Sequence, residues 1–203
     1  MKEGDKETFY HGSGVLFDAF DLEHALEGDG KVKFGYGIYV TSSYKSAAHY
    51  SGANDAWKSH YVYTLTVPVK KVDNFIAFRH PVNPEIIKRT EEKLRIKIPD
   101  KVISDGKEFR KFLAKHFSDC ITIDLKPGAD YKKIKNLMGE KAASEFLSSI
   151  GVDFIEWPYN WNNPDLGTNR AYLNDKKIEI IKVDQIELDN KKNLIPNSKK
   201  QIR

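Results

Sequence analysis

The chain has 203 residues, 40% hydrophobic and 31% charged, enough for one sizeable domain with its own core. Its net charge of +4 permits a nucleic-acid partner without requiring one. Cys120 is the only cysteine, which excludes an internal disulfide and a thiolate zinc site, and no stretch approaches the ~20 apolar residues of a bilayer span.

The start, Met1-Lys2-Glu3-Gly4-Asp5-Lys6, lacks the apolar core of a secretory signal, so a cytoplasmic protein with no membrane partner is expected. Glu7 to Ser13 reads as a first strand. Phe17 to Asp21 and Glu27-Gly28-Asp29-Gly30 carry turn chemistry and read as a loop. Gly37 to Ser42 is a second strand, and Tyr44 to about Trp57 a helix entered through Ser42 or Ser43 as N-cap.

Tyr61 to Val67 alternates β-branched and aromatic residues, which defines a strand that Pro68 ends or leaves at an edge. Val72 to Phe78 is a further strand. The middle is helical: one helix opens at Asn83-Pro84 and runs through Leu94, a second spans Asp105 to Phe117, and a third spans Tyr131 to Ile150. The third has Ile134, Leu137, Met138, Ala142, Phe146, Leu147 and Ile150 along one stripe, and Gly151 stops it. Strands return at Val152 to Trp157, Asn169 to Leu173 and Lys177 to Leu188. The polar, basic tail beyond residue 190 is expected to be flexible. Strands, then helices, then strands describe a single α+β domain over 1–190.

Two blocks carry chemistry. Phe9-Tyr10-His11-Gly12-Ser13 ends one strand, and Phe34-Gly35-Tyr36-Gly37-Ile38-Tyr39 opens the next. A small-residue helix, Lys45-Ser46-Ala47-Ala48-His49-Tyr50, follows. A His and a Tyr at neighbouring strand ends, with glycines beside both, describe a cleft that backbone lets a flat polar ligand enter. The plain alternatives stay open: a structural histidine, core tyrosines, and a glycine bulge.

These blocks resemble ADP-ribosyltransferases of the diphtheria-toxin and poly(ADP-ribose) polymerase type. The resemblance covers the first quarter of the chain well and is weaker at 151–155 and 169–172. It implies a split β-sheet core, with residues of about 83–150 as a central helical insertion, and NAD as co-substrate with no metal. His11 would bond a ribose hydroxyl. Gly12 backbone would pair with the nicotinamide carboxamide, and Ser13 would line the same end. Tyr39 and Tyr50 would sandwich the nicotinamide ring. Ser46, or Ala47 in the gapless register, would bond the carboxamide.

The third motif departs from the family. In Asn169-Arg170-Ala171-Tyr172, Arg170 stands where a Glu is expected to stabilise positive charge on the ribose. An Arg repels that charge. Either another carboxylate such as Glu156 or Asp165 supplies it, or Arg170 grips a phosphate of NAD or of a nucleic-acid target, or catalysis is lost. RNA 2′-phosphotransferases, distant relatives, carry an Arg in that motif. RNA or DNA is therefore the slightly favoured acceptor over protein, and Trp157, Tyr159 and Trp161 offer stacking surfaces for a base. By analogy with proteins of this size, a toxin or defence effector with an antitoxin or inhibitor partner is expected.

Overall fold

The computed structural model describes residues 6–24, 32–122 and 130–203; the turn expected at Glu27 to Gly30 lies outside them. Eight strands are seen: β1 Lys6–Ser13, β2 Ile38–Thr41, β3 His60–Pro68, β4 Phe75–Ala77, β5 Phe154–Pro158, β6 Thr168–Tyr172, β7 Glu179–Ile186 and β8 Lys200–Gln201. The helices are α1 Tyr44–Ser51, α2 Pro84–Leu94, α3 Asp100–Ile103, α4 Gly106–Cys120 and α5 Tyr131–Ser149. The fold is α+β, with one mixed sheet in the order β4-β5-β6-β2-β1-β3-β7-β8. No helix among the described residues is long and apolar enough to cross a membrane.

All neighbours are antiparallel except β4 and β5. The helices α2 to α5 therefore form the crossover between two adjacent parallel strands, a connection that parallel pairing requires. They cover one face of β4, β5 and β6, burying Ile86, Phe109, Leu113 and Leu147 against Ile155, Trp157 and Ala171.

The centre of the sheet is its weakest join. β1 pairs with β3 along its whole length, but with β2 only at Tyr10↔Thr41. There the sheet curls. The Tyr172 hydroxyl on β6 donates to the Pro68 carbonyl at the end of β3, at 3.0 Å. Three strand spacings of a flat sheet would separate those strands by about 14 Å. The two halves thus face each other across a second core of Phe9, Val40, Tyr63, Leu65, Phe154 and Tyr172. On the far side of β1 and β3, α1 buries Ala47 and Ala48 against Val62 and Ile186.

Three expectations are corrected. The α1 helix stops at Ser51, capped by Gly52, rather than running to Trp57; its start is capped by the Ser43 hydroxyl. Met138 is exposed, and Gly139, Ala143 and Ser144 face the core instead, because α5 packs closely on α4. The tail is held rather than loose. Leu188 bridges to Leu194, β8 lengthens the sheet beside β7, and Lys199 sits 3.2 Å from the buried Asp184 carboxylate. An open strand edge and a buried acid recruit the basic tail.

Candidate functional site

Beyond the Tyr10↔Thr41 pair, β1 and β2 diverge, and the ladder that would continue between them is missing. A side chain crosses the gap. The His11 Nδ1–H donates to the Tyr39 carbonyl at 2.8 Å. Alternation along β1 places His11 on the same face as Phe9. Its ring meets Phe20 edge-on at 5.1 Å, with Phe17 and Tyr63 close by. Burial holds the imidazole pKa below its usual value, outweighing the opposite pull of the Tyr39 hydrogen bond. The ring is therefore neutral at pH 7 with its proton on Nδ1. Nε2 is left as a lone-pair acceptor without a protein partner among the described residues.

Tyr39 folds the preceding turn back onto itself. Its hydroxyl donates to the Gly35 carbonyl at 2.8 Å and accepts from the Phe34 N–H at 3.1 Å. Gly35 has φ +108°, a conformation that a side chain resists. Phe34 then stacks on Trp157 at 3.9 Å, and Tyr39 meets the same indole edge-on at 5.5 Å. Burial pushes the Tyr39 hydroxyl up to about 12, so it stays protonated and serves as a wall and a tie rather than a base.

Gly12 has a different reason to be glycine from the one the resemblance implies. A Cβ there would lie 1.8 Å from the Ala47 carbonyl oxygen, so the residue lets α1 press onto β1. That contact brings Tyr50, half exposed, to the mouth of the gap. Ser13 accepts from the Val15 N–H at 3.0 Å, tying the loop that leaves β1. Together these surfaces enclose a cleft of about 900 Å³, lined by His11, Gly12, Ser13, Tyr39, Tyr50 and Trp157 among others. That is at the upper end of the range for small-molecule and cofactor sites. Tyr39 and Tyr50 line it without touching each other. Ser46 does not line it. Its N–H bonds Ser43 Oγ as part of the helix cap, and Ala47 takes the lining position, as the gapless register has it.

Arg170 and Glu156 are not in the cleft. They pair across β5 and β6 on the face opposite Asn169, between the two sheet halves. The Arg170 Nε–H donates to Glu156 at 2.9 Å, while its second nitrogen donates to Glu7 and to the Tyr172 hydroxyl. The guanidinium lies between the rings of Phe9 and Phe154, at 4.4 and 4.1 Å, and the residue is 4% exposed. Lys70 takes the other oxygen of Glu156. The Arg170 charge is thus met by carboxylates within the protein, and neither Arg170 nor Glu156 is among the residues that line the cleft. Asp165 is exposed in the loop after β5 and is also absent from the lining.

The residue that β6 does present is Asn169, which the sequence reading passed over. It is 7% exposed, lines the cleft beside Trp157 and Thr41, and its carboxamide makes no side-chain hydrogen bond among the described residues. The signal was available in the two-residue period of the strand, which puts Asn169 and Arg170 on opposite faces. The one carboxylate among the described lining residues is Asp21, with Lys33, Lys192, His24 and His49 as basic groups. Of the aromatic loop, Trp157 is core, while Tyr159 and Trp161 are exposed, and Arg79 lies over the Trp161 ring at 4.3 Å. No group of three or more His, Cys, Asp or Glu side chains among the described residues is placed to hold a metal.

No protein-family model, curated protein or solved structure matches the chain.

Proposed function

We propose that the cleft binds NAD and that the chain is an NAD-dependent ADP-ribosyltransferase. The observation that carries this reading is the gap between β1 and β2 beyond their Tyr10↔Thr41 pair, crossed by the His11–Tyr39 hydrogen bond. It leaves a neutral imidazole acceptor, two tyrosine rings and unpaired strand edges around a space of dinucleotide size. The His11 Nε2 accepts a ribose hydroxyl, and Tyr39 and Tyr50 flank the nicotinamide. The bond between the nicotinamide nitrogen and ribose C1′ breaks, nicotinamide leaves neutral, and an acceptor nucleophile bonds C1′ and gives up its proton. The Asn169 carbonyl oxygen orients a ribose hydroxyl by its dipole, without the full charge a carboxylate would give.

A macromolecule is the acceptor. Arg170 no longer argues for nucleic acid, since its partners are all protein groups. What still favours RNA or DNA over protein is the exposed pair Tyr159 and Trp161, with Arg79 over the latter. Incubation with NAD labelled in the adenosine part, and with separate pools of RNA, DNA and protein, tests the reading. Label in nucleic acid is expected. Label in protein alone redirects the acceptor assignment.

A second reading, a non-catalytic NAD- or ADP-ribose-binding module, is favoured by one observation: a carboxamide faces the cleft from β6, and Glu156 is spent on Arg170 and Lys70. Tight NAD binding with no nicotinamide release in any pool decides for it.

A further inference from the structure

The cleft wall formed by Phe34 to Tyr39 rests on the helical layer, and one buried charge sits at the point of contact. On α5, Gly139 packs so closely on α4 that a Cβ there would lie 2.4 Å from the Ala114 carbonyl. This crossing sets Glu140 beside Arg110 of α4, and the two form an ion pair in which Arg110 is 5% exposed. The Arg110 stem runs beneath the turn. A Cβ on Gly35 would meet the Arg110 Cδ at 3.3 Å and the Ile155 Cδ1 at 2.8 Å. The Arg110 charge is close enough to the Tyr39 hydroxyl to draw its pKa down against the dominant effect of burial, and the Glu140 charge draws it up.

The Arg110 Nε–H is buried and has no hydrogen-bond partner among the described residues. Buried donors are nearly always paired, so the guanidinium is held by Glu140 and by packing rather than by its own full set of bonds. Around it, α5 grips the same segment a second time: Lys141 pairs with Glu23 and lies 5.9 Å from the Tyr36 ring centroid, and the Tyr36 hydroxyl donates to the Leu22 carbonyl.

We infer that Arg110 is a positioning residue for the cleft: paired with Glu140, it supports the Gly35 turn from below and so fixes Tyr39 and the Phe34–Trp157 stack. The helical crossover is then the platform of the binding wall, not an appendage of the sheet. This inference concerns the wall and holds whatever ligand the cleft takes.

Amide hydrogen exchange of the full chain tests it, comparing wild type with Arg110→Met, Arg110→Lys, Glu140→Gln and Gly35→Ala. The reporter is the segment 32–40, above all the Phe34 N–H held by the Tyr39 hydroxyl. Exchange there is expected to quicken about 10-fold or more in Arg110→Met and Gly35→Ala, with the protection of α4 and α5 kept, and Arg110→Lys is expected to recover part of it. The same variants should bind NAD several-fold more weakly. Unchanged exchange at 32–40, or equal acceleration of the turn and both helices, overturns the inference by reducing Arg110 to a prop of the helical layer. Wild type that fails to bind NAD sinks the NAD reading and leaves the exchange result standing.

Discussion

The two faces of β6 hold opposite kinds of polar residue. On the face between the sheet halves, Arg170 is met by Glu7, Glu156 and Tyr172 and flanked by two rings. On the other, Asn169 is nearly as buried, but its carboxamide makes no side-chain hydrogen bond among the described residues. A complete set of partners marks a residue that holds the fold. A polar side chain that opens onto a cleft with no bond to its neighbours is free to meet a ligand there, at about 0.5–1.5 kcal/mol for an ordinary hydrogen bond.

The largest effect that tests this contrast comes from Arg170→Met. It takes the cation from Glu7 and leaves Glu156 with Lys70 alone, and removing one partner of a buried pair costs about 3–5 kcal/mol. Urea denaturation should show that loss, while the NAD affinity of the folded fraction stays near wild type. A stable variant that loses NAD would put Arg170 back in the site.

Next is His11→Ala. It removes the His11–Tyr39 link across the gap and should lower NAD consumption by on the order of 100-fold, since misplacing a bound substrate by an ångström is enough for that. Initial rates of nicotinamide release measure it. Full activity in the variant would dissolve the site assignment.

A smaller effect is expected from Asn169→Ala, about 10-fold in NAD affinity by calorimetry, as for one lost hydrogen bond in a dry site. Ser46→Ala should change that affinity less than twofold, because Ser46 does not line the cleft. Reversal of that order would restore the resemblance-based register over the observed one.

The smallest is a pH effect. Folding keeps His11 neutral, whereas in the unfolded chain it takes up a proton below its ordinary value of about 6.5. Its contribution to stability is therefore intact above that pH and falls away as the pH drops below it. Melting curves at pH 7.5 and 5.5 should converge in His11→Gln relative to wild type.

Much of this was legible in the chain. The alternation of 61–67, the Asn83-Pro84 start and the helical spacing of Asp105 to Phe117 each mark their element by local pattern, and β3, α2 and α4 follow them. His11, Tyr39 and Tyr50 line one cleft because two glycine-flanked strand ends and a small-residue helix leave them few other places. The face of β6 was harder to read. Both of its sides are buried, so neither polarity nor hydrophobicity says which side meets the cleft, and charge drew the eye to Arg170. The tail misled for a related reason. Its lysines look solvated in sequence, but Asp184, fully buried on β7, gives Lys199 a fixed destination. The role of Gly12 was hidden because its neighbour, Ala47, lies 35 positions on (47 − 12) and meets it only through the packing of α1.

The long crossover between β4 and β5 has a consequence for the order of events during synthesis. The residues most characteristic of the cleft leave the ribosome in the first quarter of the chain, but β2 has no neighbour on its outer side until β6 exists. Trp157, Asn169 and Lys192, which complete the lining, come later still. A product that stops short of β6 therefore carries the first two blocks but neither the third nor a finished cleft, and the lining is complete only when the later strands close the sheet.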